Sequence, residues 1–342
     1  MLAAFCILLG LFSLSSLINK NPFDGTISRL VSIVCGFSVA LSVDRKVFFD
    51  TFKKTVFFIC LVAIFAEALA YIVPSLFEHF PVVTNTSGRN FYVFFVGAFG
   101  FDNIEQVFKR SMGIFWEPGA FSIYIVLSLA MELFSSRKKM SRILVDIIAL
   151  VFTFSTTGYI AFSFLLIVFL LFKVGSRRII TKISVLFILS LLVILLTSRE
   201  SQIGHVVFGK IIEGGSSSAA RFSSFYNGLY LSFQKPFFGL GINSTSMMKF
   251  YLSSGYAKYS NGGADIINTV TGFMVYYGIP FSAVVLLGSL MFFKRFSSSF
   301  ITALFLFVVL MLCYFGERFF SFLPFVISFY GFKKDTHTVL NN

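Results

Sequence analysis

Apolar residues run along the chain in blocks of about 13 to 28 positions with scarcely a charge, the length needed to cross about 30 Å of hydrocarbon as helix. Short clusters of lysine and arginine divide the blocks. They are Arg45, Lys46, Lys53 and Lys54; Arg137, Lys138, Lys139 and Arg142; Lys173, Arg177, Arg178 and Lys182; Lys294 and Arg295; and Lys333 and Lys334. If basic loops stay on the cytoplasmic side, each pair of successive clusters is separated by an even number of crossings. The stretch 143–174 must then be a hairpin, with its turn at Ser155-Thr156-Thr157-Gly158, the polar and glycine-containing break. The same parity divides 298–332 near Glu317 and Arg318.

The pattern predicts an all-α fold: a polytopic transmembrane bundle of about ten helices, in one transmembrane domain over residues 1–342. The helices are expected at about 1–18, 26–43, 55–75, 118–135, 143–155, 158–174, 183–197, 266–293, 298–315 and 319–332. Block 1–18 lacks a basic leader region and a small-residue cleavage site, and so reads as a retained helix. Both termini are expected in the cytoplasm. Residues 76–117 and 198–265 are left as two large loops on the outer face, with short amphipathic helices, and loops of that length usually carry function.

Composition agrees with this reading. Apolar residues make up 57% of the 342 positions and charged ones only 13%, a balance that a soluble fold could not bury. The net charge of +13 brings no basic helix or aromatic and basic groove with it, so membrane topology explains it better than nucleic acid does. All four cysteines fall inside apolar blocks, where cysteine behaves as a small hydrophobe.

In the first outer loop Pro118 marks a helix start and puts Glu117 at the helix N-terminus, where the dipole favours negative charge. Glu117 can act there as a general base or orient a hydroxyl; it can equally cap the helix, with Trp116 anchoring the interface. Arg110 lies seven residues earlier across an otherwise neutral, aromatic-rich segment, so the two can also form a buried structural ion pair. Upstream, 91–101 is apolar but too short to span, and is expected to be re-entrant or interfacial.

In the second outer loop Phe222, Phe225, Tyr226, Leu229 and Phe233 recur at helical spacing until Pro236, as in a helix lying on a leaflet. Arg221 opens the pattern, and Gly239 and Gly241 follow in a turn. A guanidinium beside a helix N-terminus suits phosphate, although basic residues also serve as plain interfacial anchors. His205 is a candidate for proton transfer or a solvated loop residue. Arg29 and Glu67 fall within predicted spans and read either as a pair lining a lipid-head cavity or as structural charges; Glu132 and Asp146, near cytoplasmic ends, need only reach water.

Three segments, in order, resemble the superfamily of bacterial O-antigen polymerases (the Wzy type) and O-antigen ligases. Arg110 to Gly119 is similar to that family's R-x-x-G-x-F-x-E-P-G segment, in the form nearer to polymerases. Thr153 to Gly158 resembles its short Ser- and Gly-containing break between helices. Arg221 to Gly241 resembles its arginine, aromatic helix and Pro-Phe-Phe-Gly-x-Gly turn. The resemblance spans about residues 89–290 and departs from the ligases at Asn268, which follows Ile267 where they carry histidine.

What the resemblance implies is an inner-membrane glycosyltransferase acting at the periplasmic face. It would move a growing glycan from undecaprenyl pyrophosphate onto a lipid-linked repeat unit. Glu117 and Arg221 would be catalytic, and Arg110, Arg89, His205, Tyr226 and Asn268 would bind pyrophosphate or sugar. Its partners would be the undecaprenyl-pyrophosphate-linked oligosaccharide, membrane lipid and a chain-length co-polymerase, with no nucleic acid. No cofactor or metal is expected, since the outer loops hold no paired acidic motif or histidine cluster. The alternatives are an O-antigen ligase and a polysaccharide-lipid transporter. A transporter should show internal repeats and broken midplane helices, and the Gly278 to Pro280 break has no counterpart in a matching half.

Overall fold

The structure is a computed structural model that describes residues 1–84, 90–94, 97–100, 110–135, 137–173, 216–242, 266, 268–297, 299–317 and 322–334. It is mostly helical and divides into two compact units, Met1–Arg45 with Ser216–Asn342, and Lys46–Gly215. Among the described residues three helices are long and apolar enough to cross a membrane, Phe23–Ser42, Arg45–Ile72 and Ile279–Phe296, and five shorter ones are also apolar. The expected helix at 183–197 lies outside the described residues.

The first unit contains α1 (Leu2–Ile18), α2 (Phe23–Ser42), α7 (Ser216–Gln234), α8 (Thr269–Tyr277), α9 (Ile279–Phe296), α10 (Phe300–Gly316) and α11 (Leu323–Phe332). Small residues decide where its helices touch. A Cβ on Gly331 would run into the carbonyl of Gly288, and one on Gly36 would come within 2.6 Å of Phe325 Cβ, so α11 lies directly against α9 and α2. Helices approach this closely where glycine leaves room for backbone to meet backbone. Phe12, Phe273, Tyr277, Phe281 and Phe325 join α1, α8, α9 and α11 through tilted and edge-on ring contacts. On α1 and α2 the opposite faces are apolar too: Leu17 and Phe23 are 75% and 76% exposed. Apolar patches of this kind mark contact with lipid or another apolar surface.

The predicted helix over 266–293 is two helices. Gly278, at φ +94, ends α8, and Pro280 sits in the first turn of α9. The Pro236 to Gly241 turn threads onto this break. Ile279 N donates to Pro236 O at 2.7 Å and Leu240 N to Val275 O at 2.6 Å. Ser15 Oγ and Asn19 Nδ2, at the end of α1, both donate to Phe238 O, at 2.6 and 3.1 Å. Asn21 Oδ1 accepts from Ile242 N at 2.9 Å. One glycine-rich turn therefore fastens α1, α8 and α9 together.

The second unit holds nearly all of α3 (Arg45–Ile72), a short 3-10 turn, strands β1 (Val82–Thr84), β2 (Asn90–Phe94), β3 (Gly97–Gly100) and β4 (Arg110–Gly113), and then α4 (Pro118–Leu133), α5 (Met140–Phe152) and α6 (Thr156–Phe172). α4 is buried along its whole length and packs against α5, α6 and β4. The stretch 143–174 divides into two helices, α5 and α6, with the break at residues 153–155.

The sheet departs from the all-α expectation. Its strands form an antiparallel meander, β1-β2-β3-β4, with Phe91 opposite Gly100 and Gly100 opposite Arg110. The segment 91–101, expected to be re-entrant or interfacial, supplies β2 and β3. Aromatic and β-branched residues there suit a strand, and pairing satisfies main-chain groups that a lone apolar segment would leave open.

Candidate functional site

In the second unit the Arg110 segment and the break between α5 and α6 come together. Arg110, at the start of β4, donates from Nε to Thr153 O at 3.3 Å and from Nη2 to Phe154 O at 3.2 Å. Phe154 is left-handed at φ +44, a conformation that costs a non-glycine residue about 1–3 kcal/mol. Ser155 caps α6 by accepting from Gly158 N at 3.2 Å, and Ser122 Oγ of α4 donates to Ser155 Oγ at 3.1 Å. Gly158 is needed because a Cβ there would lie 2.5 Å from Ser122 Cβ. A guanidinium and two hydroxyls are thus gathered at the turn between two apolar helices.

Arg110→Ala strips a charged donor from two carbonyls, and hydrogen bonds to charged groups are each worth about 1.5–3 kcal/mol. The expected result is a melting temperature several degrees lower in detergent, with Arg110→Lys recovering part of the loss. An unchanged melting temperature in both variants would show that the turn does not depend on this guanidinium.

Glu117 stands at the N-cap of α4 in extended conformation, φ −161, and its side chain does not cap the helix. The start of α4 is set instead by Pro118 and by the Glu117 carbonyl, which accepts from Phe121 N at 3.3 Å. The carboxylate is therefore not engaged by the amides of its own helix. Trp116, beside it, is half-exposed, as an interfacial anchor would be.

In the first unit α7 begins at Ser216, earlier than the pattern opened by Arg221 indicates. Arg221 accordingly lies in the second turn rather than at the helix opening, and its Nη2 donates to Glu317 Oε1 at 3.0 Å. Ser224 and Asn227 on the same helix are buried, while Tyr226 and Phe233 are exposed. Leu231 and Ser232 are buried as well, so one face of the helix packs inward while Tyr226 and Phe233 stand on the other. Asn268 is buried and caps α8, its Oδ1 accepting from Thr271 N at 2.9 Å. Its side-chain oxygen thus has a structural task. Arg89 and His205 lie outside the described residues.

The charges expected to reach water at helix ends are instead buried and partnered. Glu132 is 1% exposed, with Oε2 3.4 Å from Lys53 Nζ and 3.9 Å from Arg142 Nη1, while Oε1 accepts from Lys139 N. Asp146 Oδ2 accepts from Ser128 Oγ at 2.8 Å. Buried carboxylates persist only with such partners, because desolvation otherwise outweighs what they gain. Glu67 is fully buried on α3, and Arg29 lies half-buried on α2. Hydropathy missed Glu317 altogether, since the residue served there only to mark a turn.

Compared with protein-family models, curated proteins and solved structures, the chain matches none of the three.

Proposed function

We propose that this chain is a polytopic inner-membrane glycosyltransferase of about ten spans that polymerises lipid-linked oligosaccharide repeat units at the periplasmic face, with both termini cytoplasmic. The observation that carries the reading is the junction of Arg110 with the carbonyls of Thr153 and Phe154. It unites two of the three segments in which the sequence resembles O-antigen polymerases, across 43 and 44 positions of chain. The apolar outer faces of α1 and α2 support a lipid setting.

In the reaction the terminal hydroxyl of one lipid-linked repeat unit attacks the anomeric carbon of the glycan carried on undecaprenyl pyrophosphate. A new glycosidic C–O bond forms, the C–O bond to pyrophosphate breaks, and the hydroxyl proton passes to a base. The resemblance to O-antigen polymerases gives Glu117 the part of the base, and gives Arg221 that of meeting the charge that develops on the departing pyrophosphate. Tyr226, exposed and aromatic, is a stacking surface for sugar.

Deleting the gene tests the proposal. Surface glycan should collapse to a single repeat unit on its carrier. Long chains of unchanged distribution would sink it. Loss of every repeat from the lipid core, with lipid-linked polymer accumulating, would point to a ligase instead.

A further inference from the structure

Glu317 is buried, charged and not accounted for by the three resembling segments. It closes the C-terminus of α10 in extended conformation, φ −143, and is 1% exposed. Its carboxylate accepts from Arg221 on α7 at 3.0 Å. Its main-chain carbonyl accepts from Thr269 Oγ1, at the start of α8, at 2.6 Å. Glu317 is thus fastened to two other helices. Phe225, one turn along α7 from Arg221, packs its ring against Phe315 of α10, centroids 5.3 Å apart, so the two helices are also held side by side.

This geometry decides what kind of pair it is. The Arg221 side chain is 25% exposed while the Glu317 side chain is 1% exposed, so the carboxylate is the interior member of the pair and the arginine the more exposed one. A long arginine side chain otherwise samples many rotamers, and an oxyanion ligand works best when its planar fork is already oriented. A carboxylate behind the guanidinium supplies that orientation without itself meeting the ligand.

We propose that Glu317 is a positioning residue: it holds the Arg221 guanidinium in the orientation that receives the pyrophosphate of the lipid-linked donor. The inference rests on the polymerase reading above. Glu317 does not touch substrate, so its effect passes entirely through Arg221, and that makes the two residues' contributions inseparable.

The test uses full-length purified protein and, as substrate, the lipid-linked repeat unit extracted from the deletion strain. Glu317→Gln keeps size and polarity, and should lower kcat/KM on the order of a hundredfold, as a misplaced catalytic group does, with protein abundance near wild type. Arg221→Ala should be at least as slow. The double variant R221A/E317Q should be no slower than Arg221→Ala alone, and more heat-stable than it, since it no longer buries a carboxylate deprived of its arginine. Full activity in Glu317→Gln, or losses that multiply in the double variant, would overturn the inference.

Should Glu317→Gln fail to accumulate, the exchange R221E/E317R decides. Protein restored without transfer supports the inference, whereas protein and transfer restored together overturn it, because the pair is then only a brace. Wild-type protein that forms no polymer, together with unchanged glycan in the deletion strain, removes the polymerase reading and this inference with it. That result is distinct from an active wild type with an indifferent Glu317.

Discussion

Gly278→Ala is expected to leave little folded protein, measured as abundance and as a monodisperse peak in detergent. Two separate costs act at this position. The backbone is at φ +94 and ψ 162, a region open essentially to glycine alone, and forcing another residue there costs about 1–3 kcal/mol. The new Cβ would also run into the main chain of Phe237, whose carbonyl carbon lies 2.5 Å from the Cβ position and whose oxygen is nearer still. That main chain cannot retreat easily. The hydrogen bonds Ile279 N to Pro236 O and Leu240 N to Val275 O hold it on both sides, and Ser15 holds the next carbonyl from α1. Against a folding free energy of about 5–15 kcal/mol, backbone strain combined with the loss of this junction is enough to empty the native state. Gly10→Ala supplies the control. A Cβ there meets nothing within 4 Å, and alanine is the better helix former, so that variant should match or slightly exceed wild type. Equal abundance and melting temperature for Gly278→Ala and wild type would mean that the α8–α9 break can be rebuilt without glycine.

How much of this was legible in the sequence depended on how local each cause is. The start of α4 at Pro118 follows from proline's fixed φ and missing N–H, which one residue announces. The division of 143–174 into α5 and α6 was readable because lysine and arginine flank the stretch on both sides. The sheet was not, because its pairings join positions such as Phe91 and Gly100, or Gly100 and Arg110, and a uniformly apolar stretch carries no alternation to betray a strand. The pairing of Arg221 with Glu317 spans 96 positions, and nothing near either residue signals the other. Glu132 and Asp146 were misjudged for a related reason. A place near a cytoplasmic helix end predicts water, whereas Lys53 and Arg142 meet Glu132, and Ser128 meets Asp146. The glycines of the 236–241 turn were visible as a motif, but their task was not. A Cβ at Gly239 would strike Val275 O, and the Gly241 amide donates to Tyr276 O at 3.2 Å, so the motif builds a helix junction rather than only a ligand loop.

Glu117→Gln should abolish the polymer ladder while leaving the protein folded, and the contrast between those two readouts is what gives the variant its force. Gln matches Glu in size and hydrogen-bonding reach but cannot take a proton from a sugar hydroxyl. The start of α4 should persist, because Pro118 and the Glu117 carbonyl both survive the substitution, and protein abundance and melting temperature read whether the fold persists with it. General base catalysis contributes about 10²–10⁴-fold, so transfer between purified lipid-linked repeat units should slow by about that factor. In the cell, surface glycan would stay at one repeat. Glu117→Asp keeps the carboxylate but withdraws it by one methylene, and should retain a slow ladder with short chains. An anchoring role would produce the opposite pattern: a normal ladder in Glu117→Gln, or else a loss that follows protein abundance and appears equally in Glu117→Asp. The comparison therefore separates a carboxylate that moves a proton from one that only holds the helix start in place.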